Sequence, residues 1–157
     1  GGEEVNKLLV KIGTSKLAHQ KVTTMPLESI AIQDFSHNRI DDPELAARIA
    51  KLYEDSHEFA DGQTAIATFN GLFARGGRLY VGMFNDRPIA AVASLDDGTD
   101  GQRRLAHLAV HPANRGRAID AKLIKQTTDS ERKLGIVRFA SDDGDILRIL
   151  THYELLG

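Results

Sequence analysis

Two periods of hydrophobic and polar residues interchange along this chain, and each change of period marks an element. From Glu3, the residues Val5, Leu8, Leu9 and Ile12 recur at helical spacing with two acids in front and Gly13 behind. That predicts a short amphipathic helix, although Val10 breaks the stripe and leaves a strand open. Gly1 and Gly2 read as an expression scar, and residues 1–24 as an N-terminal extension. From Met25, Ile30 and Ile32 alternate with polar neighbours and predict a strand. Asp41 and Asp42 precede Pro43, and Leu45, Ile49 and Leu52 then repeat with a period near 3.6, so an acid-capped helix starts at the proline. A second helix is expected over Thr64 to Arg75, ending at Gly76-Gly77.

Period two returns from Arg78 to Phe84, where Leu79, Val81 and Met83 alternate with other residues. Asn85-Asp86-Arg87-Pro88 reads as a hairpin turn, Ile89 to Ser94 as the return strand, and Leu95 to Gln102 as a loop. A strand is expected over Arg104 to His111, stopped by Pro112, which has no N–H to donate. Ile119, Leu123 and Ile124 stripe a helix running from Arg117 to Leu134-Gly135. Ile136 to Ala140 reads as a short buried strand, and Ile146, Leu147, Leu150 and Leu155 as a last helix. The order β α α β β β α β α, with no internal repeat or low-complexity linker, predicts one α/β domain with a mixed sheet over residues 25–157.

Composition narrows the class. The 157 residues match one domain, and 20 Lys plus Arg against 22 Asp plus Glu give a formal charge of -2, so no basic excess draws nucleic acid or anionic lipid. There is no cysteine, which excludes disulfides, thiolate metal sites and a cysteine nucleophile. The longest apolar runs, such as Ile89 to Val92, fall far short of the roughly 20 residues that span a bilayer, and no signal segment opens the chain. Nucleic acid and membrane are therefore not expected partners, and the expected location is cytoplasmic.

The chemistry concentrates in Leu105 to Ile124, read as strand, tight loop and helix. Such a junction aims backbone N–H groups at one point at the positive end of a helix dipole, which makes an anion site. Gly116 lets a phosphate come close, Ala118 keeps the next position small, and Arg115 and Arg117 add charge. An ordinary strand-to-helix turn with solvated arginines satisfies the same pattern.

Leu108-Ala109-Val110-His111-Pro112 followed by Arg115-Gly116-Arg117-Ala118 resembles the acyl-CoA signature of the GNAT family of N-acetyltransferases. In that signature a strand ending in Leu-Ala-Val-x-Pro leads to Arg-Gly-x-Gly/Ala at a helix start. The similarity runs from about Ile30 to Gly157, and Tyr153-Glu-Leu-Leu-Gly157 resembles the family's Tyr-Glu-x-Leu-Gly helix end. The resemblance implies a GNAT-like α/β fold: a mixed, mostly antiparallel sheet flanked by helices. It also implies an acetyl-CoA-dependent N-acetyltransferase in which an amine attacks the thioester directly. The cofactor-binding residues it implies are Leu108, Ala109 and Val110 for the pantetheine arm and Asn114, Arg115, Gly116, Arg117 and Ala118 around the pyrophosphate. Tyr153 would protonate the leaving thiolate, although a tyrosine packing its ring satisfies the same position.

The chain also departs from that pattern. Ala113 stands where Gln or Arg is usual, and Asp120 where a small residue is usual. A carboxylate about 6 Å from a phosphate costs roughly 3 kcal/mol at an effective dielectric near 20, so weakened binding is expected unless Asp120 points away. Family members carry Glu or His as a base early on the strand, where this chain has Arg104 and Ala106. Strand alternation puts His107 on the opposite side. His111 reads as a solvated loop residue, and Glu54, His57 and Glu58 are the remaining base candidates. The family's usual C-terminal strands do not follow in this sequence, so either the chain is truncated, or its N-terminal extension or a partner chain, such as a second copy in a homodimer, is expected to cover the open sheet edge. Phe84 to Val92 followed by Gly98-Thr-Asp-Gly101 resembles the hairpin and loop of the PanZ-type acetyl-CoA sensors, GNAT-fold regulators that promote maturation of an aspartate decarboxylase proenzyme. That resemblance implies the alternative of a non-catalytic acetyl-CoA sensor acting on a protein partner in place of an unread amine acceptor.

Overall fold

The computed structural model describes residues 26–35 and 42–156. The expected N-terminal extension and its helix, Met25 and Gly157 lie outside the described residues. The elements are β1 (Glu28–Ile32), α1 (Pro43–Glu54), α2 (Gly62–Phe73), β2 (Arg78–Phe84), β3 (Arg87–Leu95), β4 (Gln102–Val110), a 3-10 turn (Pro112–Asn114), α3 (Ile119–Lys133), β5 (Arg138–Ala140) and α4 (Gly144–His152). Their order is the one the hydrophobic periods predict.

The boundaries shift for identifiable reasons. α2 starts at Gly62 because Asp61 caps it, accepting the Thr64 N–H at 2.8 Å. A Cβ at Gly62 would sit 2.4 Å from the Ala50 carbonyl oxygen, so only glycine lets α2 pack this closely on α1. Asn85 and Asp86 both have positive φ, 51° and 62°, giving a two-residue hairpin turn whose twist suits the strands. Arg87 and Pro88 therefore belong to β3 and not to the turn. β4 begins two residues before the expected Arg104, at Gln102, and His111 lies beyond its end. Ile136 and Val137 are connection and not strand: Val137 N–H donates to the Gly101 carbonyl at 2.8 Å before β5 begins.

The sheet runs β1-β2-β3-β4-β5, antiparallel through β4, with β5 parallel to β4. Past α4, Leu156 makes a single parallel bridge to Phe139. One face, with Val92, Leu105 and Phe139, is covered by α3 and α4 through Leu123, Ile124, Ile146 and Leu150. The other, with Leu79, Val81, Ala91 and Ala93, is covered by α1 and α2 through Ile49, Tyr53 and Phe69.

Within the first layer α3 buries a charge. Glu131, with a fully buried side chain, accepts two hydrogen bonds from Arg78, at 2.8 and 2.7 Å, and one from the Tyr80 hydroxyl at 2.7 Å. Arg103 approaches the same carboxylate at 3.7 Å and donates to Ser94 Oγ at 3.0 Å. This network ties α3 to β2 and β4, and periodicity alone does not announce it.

Candidate functional site

β4 and β5 pair only over Gln102–Arg104 and Arg138–Ala140. Past that point Ser141 Oγ donates to the Leu105 carbonyl at 2.7 Å and the chain turns into α4, capped by Asp143. From Ala106 to Val110 the outer edge of β4 therefore faces no strand among the described residues. Leu108 and Val110 pack toward α3 and α4, and Ala109 is buried on the α1/α2 face.

The middle of β4 corrects the sequence reading. Ala91 pairs with Ala109 and Ala93 with Ala106, so His107 and Leu108 together oppose Val92: a β-bulge. His107 takes φ 56°, a left-handed conformation that histidine adopts more readily than most residues. The extra residue inverts the alternation. His107 therefore does not face away from the Ala106 side, as strict alternation predicts; it turns onto the α1/α2 face. There its ring lies against Phe59 and Phe69, centroids 5.2 and 5.9 Å apart, and its Nδ1 sits 2.9 Å from Glu58 Oε1. The strained bulge is pinned by the buried Tyr53, whose hydroxyl donates to the His107 carbonyl. Burial, and then the nearby Glu58 carboxylate, push the Tyr53 hydroxyl pKa up, so it stays protonated and donating.

Of the base candidates read from sequence, Glu58 alone is brought to the bulge; no contact joins Glu54 or His57 to it among the described residues. Arg104 turns to Asp142 and Asp97, at 3.1 and 3.8 Å. His111 is exposed, as expected, and also built in: its Nδ1 accepts the Ala113 N–H at 3.1 Å and caps the 3-10 turn.

Beyond that turn, Gly116 has φ 82° and Ala118 φ 59°, so helix α3 starts at Ile119 and not at Arg117. α1, α2 and α4 each begin with an aspartate that accepts first-turn N–H groups; α3 begins at Ala118 with no side-chain cap. Arg115, Gly116, Arg117 and Ala118 are exposed, Asn114 is half-buried, and Arg115 Nε donates back to the Val110 carbonyl at 3.3 Å. Asp120 does not swing clear of the turn: its Oδ1 accepts the Ala121 N–H at 2.7 Å. Tyr153 caps the C-terminus of α4, half-buried against the same cluster as Leu108 and Val110, with His152 edge-on at 5.1 Å.

The structure thus brings the open edge of β4, the exposed loop of Arg115 to Ala118 and Tyr153 to one side of the sheet. His107 with Glu58 lies on the other. Spacing did not show that pair, and its only sequence signal is a histidine at a position that tolerates positive φ. No group of three or more metal-ligating side chains is assembled among the described residues, and no helix among them is long and apolar enough to cross a membrane.

The mixed five-stranded sheet flanked by four helices has the GNAT fold. Solved structures of that fold superpose on the chain. They include a GNAT family acetyltransferase from Staphylococcus aureus (TM-score 0.62, 13% identity, covering 76% of this chain and 88% of that one). An aminoglycoside N-acetyltransferase AAC(6')-Iy in complex with CoA matches at TM-score 0.59 and 14% identity, over 84% of this chain and 88% of its own. A ribosomal-protein-alanine N-acetyltransferase from Brucella melitensis matches at 0.59 and 13%, over 82% and 90%. No protein-family model and no curated protein sequence matches the chain.

Proposed function

We propose that this chain binds acetyl-CoA along the open edge of β4 and transfers the acetyl group to an amine. The observation that carries the reading is the parting of β4 and β5 beside an uncapped α3 whose loop residues, Gly116 and Ala118, take positive φ. The first-turn N–H groups of Ile119 and Asp120, which no side chain caps, and two exposed arginines suit a pyrophosphate, and the unpaired strand edge suits the amides of a pantetheine arm. The solved aminoglycoside acetyltransferase with CoA supports the cofactor class.

When bound, acetyl-CoA supplies an activated thioester carbonyl. The chain's own residues manage two protons. A lysine-type amine has a pKa near 10.4 and must lose a proton before it attacks. With Glu58 on Nδ1, His107 presents the lone pair of Nε2 as the base that takes it. The Tyr153 hydroxyl, at the C-terminus of α4, would supply the proton that the departing thiol needs. Exposed Leu134, Val137 and Leu156 lie around α3's end and β5, and support the expectation that a second copy covers the outer edge of β5, away from the open edge of β4; sedimentation showing only monomer at high concentration removes it.

The test is calorimetry with acetyl-CoA followed by thiol release across an amine panel. Binding with release that His107→Ala lowers about 100-fold, most at neutral pH, supports transfer. Binding without release on any amine replaces it with the sensor reading, and no binding removes both.

A further inference from the structure

An unassigned cavity lies at the C-terminal end of β4, on the far side of that strand from β5. It is a cleft of about 560 Å³ between α1, the β2–β3 hairpin and the loop after β4, a volume in the range of small-molecule sites. Its floor is apolar, with Leu52 and Ile89 buried beneath it. Its rim is cationic: Arg48, Lys51 and Arg87 against the single acid Asp55, three charges less one, or +2 in a chain of net charge -2. Arg48 is held by the exposed Glu44, whereas Lys51 and Arg87 enter no ion pair among the described residues. His111 adds a directed donor, because its Nδ1 accepts the Ala113 N–H and the ring proton of the neutral form is thereby assigned to Nε2.

We propose that this cleft binds a small organic anion with an apolar body, an aryl or alkyl phosphate or carboxylate. Lys51 and Arg87 stand beside an apolar floor, and a ligand with both an anionic group and an apolar body satisfies both. The site adjoins the proposed cofactor loop: His111 and Asn114, the latter one of the expected pyrophosphate residues, line it, whereas none of Arg115 to Ile119 does. An occupant would therefore press on the segment that leads into α3, and the proposal stands whether or not the chain binds acetyl-CoA.

The experiment titrates phenyl phosphate into the full chain and follows amide NMR shifts. Saturable shifts at Leu52, Ile89 and His111 are expected, and benzyl alcohol, the uncharged counterpart, should bind at least about tenfold more weakly. Lys51→Glu and Arg87→Glu, both surface changes that spare the core, should each weaken phenyl phosphate by about tenfold, while Gly116→Asp leaves it unchanged. No saturable shift, shifts confined to Gly116–Ile119, or an affinity that ignores the charge reversals would overturn the proposal.

Discussion

Replacing Glu131 by alanine tests whether the buried network seats α3. The carboxylate has no exposed surface, and the side chains of Arg78 and Arg103 are 19% and 7% exposed, so its loss leaves two largely buried guanidinium groups without the carboxylate they share. Removing one partner of a buried pair costs about 3–5 kcal/mol. In a domain of this size that lowers Tm by roughly 10 °C. Glu131→Gln keeps an acceptor for Tyr80 and removes only the charge, so it should lose about half as much. Burial alone pushes the Glu131 carboxyl up, but the Arg78 and Tyr80 hydrogen bonds and then the Arg78 and Arg103 charges overcome it and hold the folded-state pKa below the usual range. A folded value below the unfolded one, near 4.3, means the stabilisation is fully present above that pH and is lost as pH falls through the folded value. The difference in urea midpoint between the wild-type chain and Glu131→Gln should therefore be constant near neutrality and close in acid, below about pH 4. An alanine variant melting within about 3 °C of wild type at pH 7, or a gap that persists in acid, refutes this account of what holds α3.

Three further outcomes follow from the same geometry. Gly116→Asp places a side chain and a charge at φ 82° where no atom lies within 4 Å. It should cost only about 1 kcal/mol of stability while weakening acetyl-CoA by at least about 100-fold in calorimetry; unchanged affinity removes the site assignment. Asp120→Asn takes a charge away from the α3 N-terminus and should tighten acetyl-CoA several-fold, at a cost of about 0.5 kcal/mol in helix stability by denaturant titration. Tyr53→Phe leaves the His107 carbonyl without its buried donor. It should destabilise by about 1–3 kcal/mol and shift the His107 NMR signals, and a variant with native stability and shifts would mean that the hydroxyl does not pin the bulge.

Where each element lies follows from patterns the sequence carries openly. Leu45, Ile49 and Leu52 repeat along one side of α1 and are all buried in the structure, and Pro43 behind Asp42 marks where that helix begins. Leu105 to Ile124 likewise reads as strand, loop and helix because Pro112 and Gly116 punctuate it. Other features depend on contacts between residues far apart in sequence. Glu131 lies 53 residues from Arg78, and nothing in α3's own spacing separates a buried glutamate from a solvated one. The cationic cleft gathers Lys51, Arg87 and His111 from three elements that periodicity treats separately.

The histidine of β4 shows most sharply where such reading stops. Side chains alternate along a strand with period two, so parity decides which face a residue serves, and a single inserted residue reverses every assignment beyond it. One bulge at His107 and Leu108 does this: it puts Ala106 and His107 on the same face and returns Leu108 to the other. No hydrophobic signal marks it, because the neighbours are alanines that pack on either side. What stabilises the bulge is remote in sequence: Tyr53 in α1 holds the carbonyl and Glu58 holds the ring. The consequence is chemical as well as geometric. Under the proposed function, the bulge offers the strand a base that parity alone denies it, and the pH dependence of thiol release in His107→Ala and Glu58→Gln tests that role. Loss of the neutral-pH component in both variants, with acetyl-CoA affinity unchanged, is the expected result; a profile identical to wild type would leave the bulge a structural feature and no more.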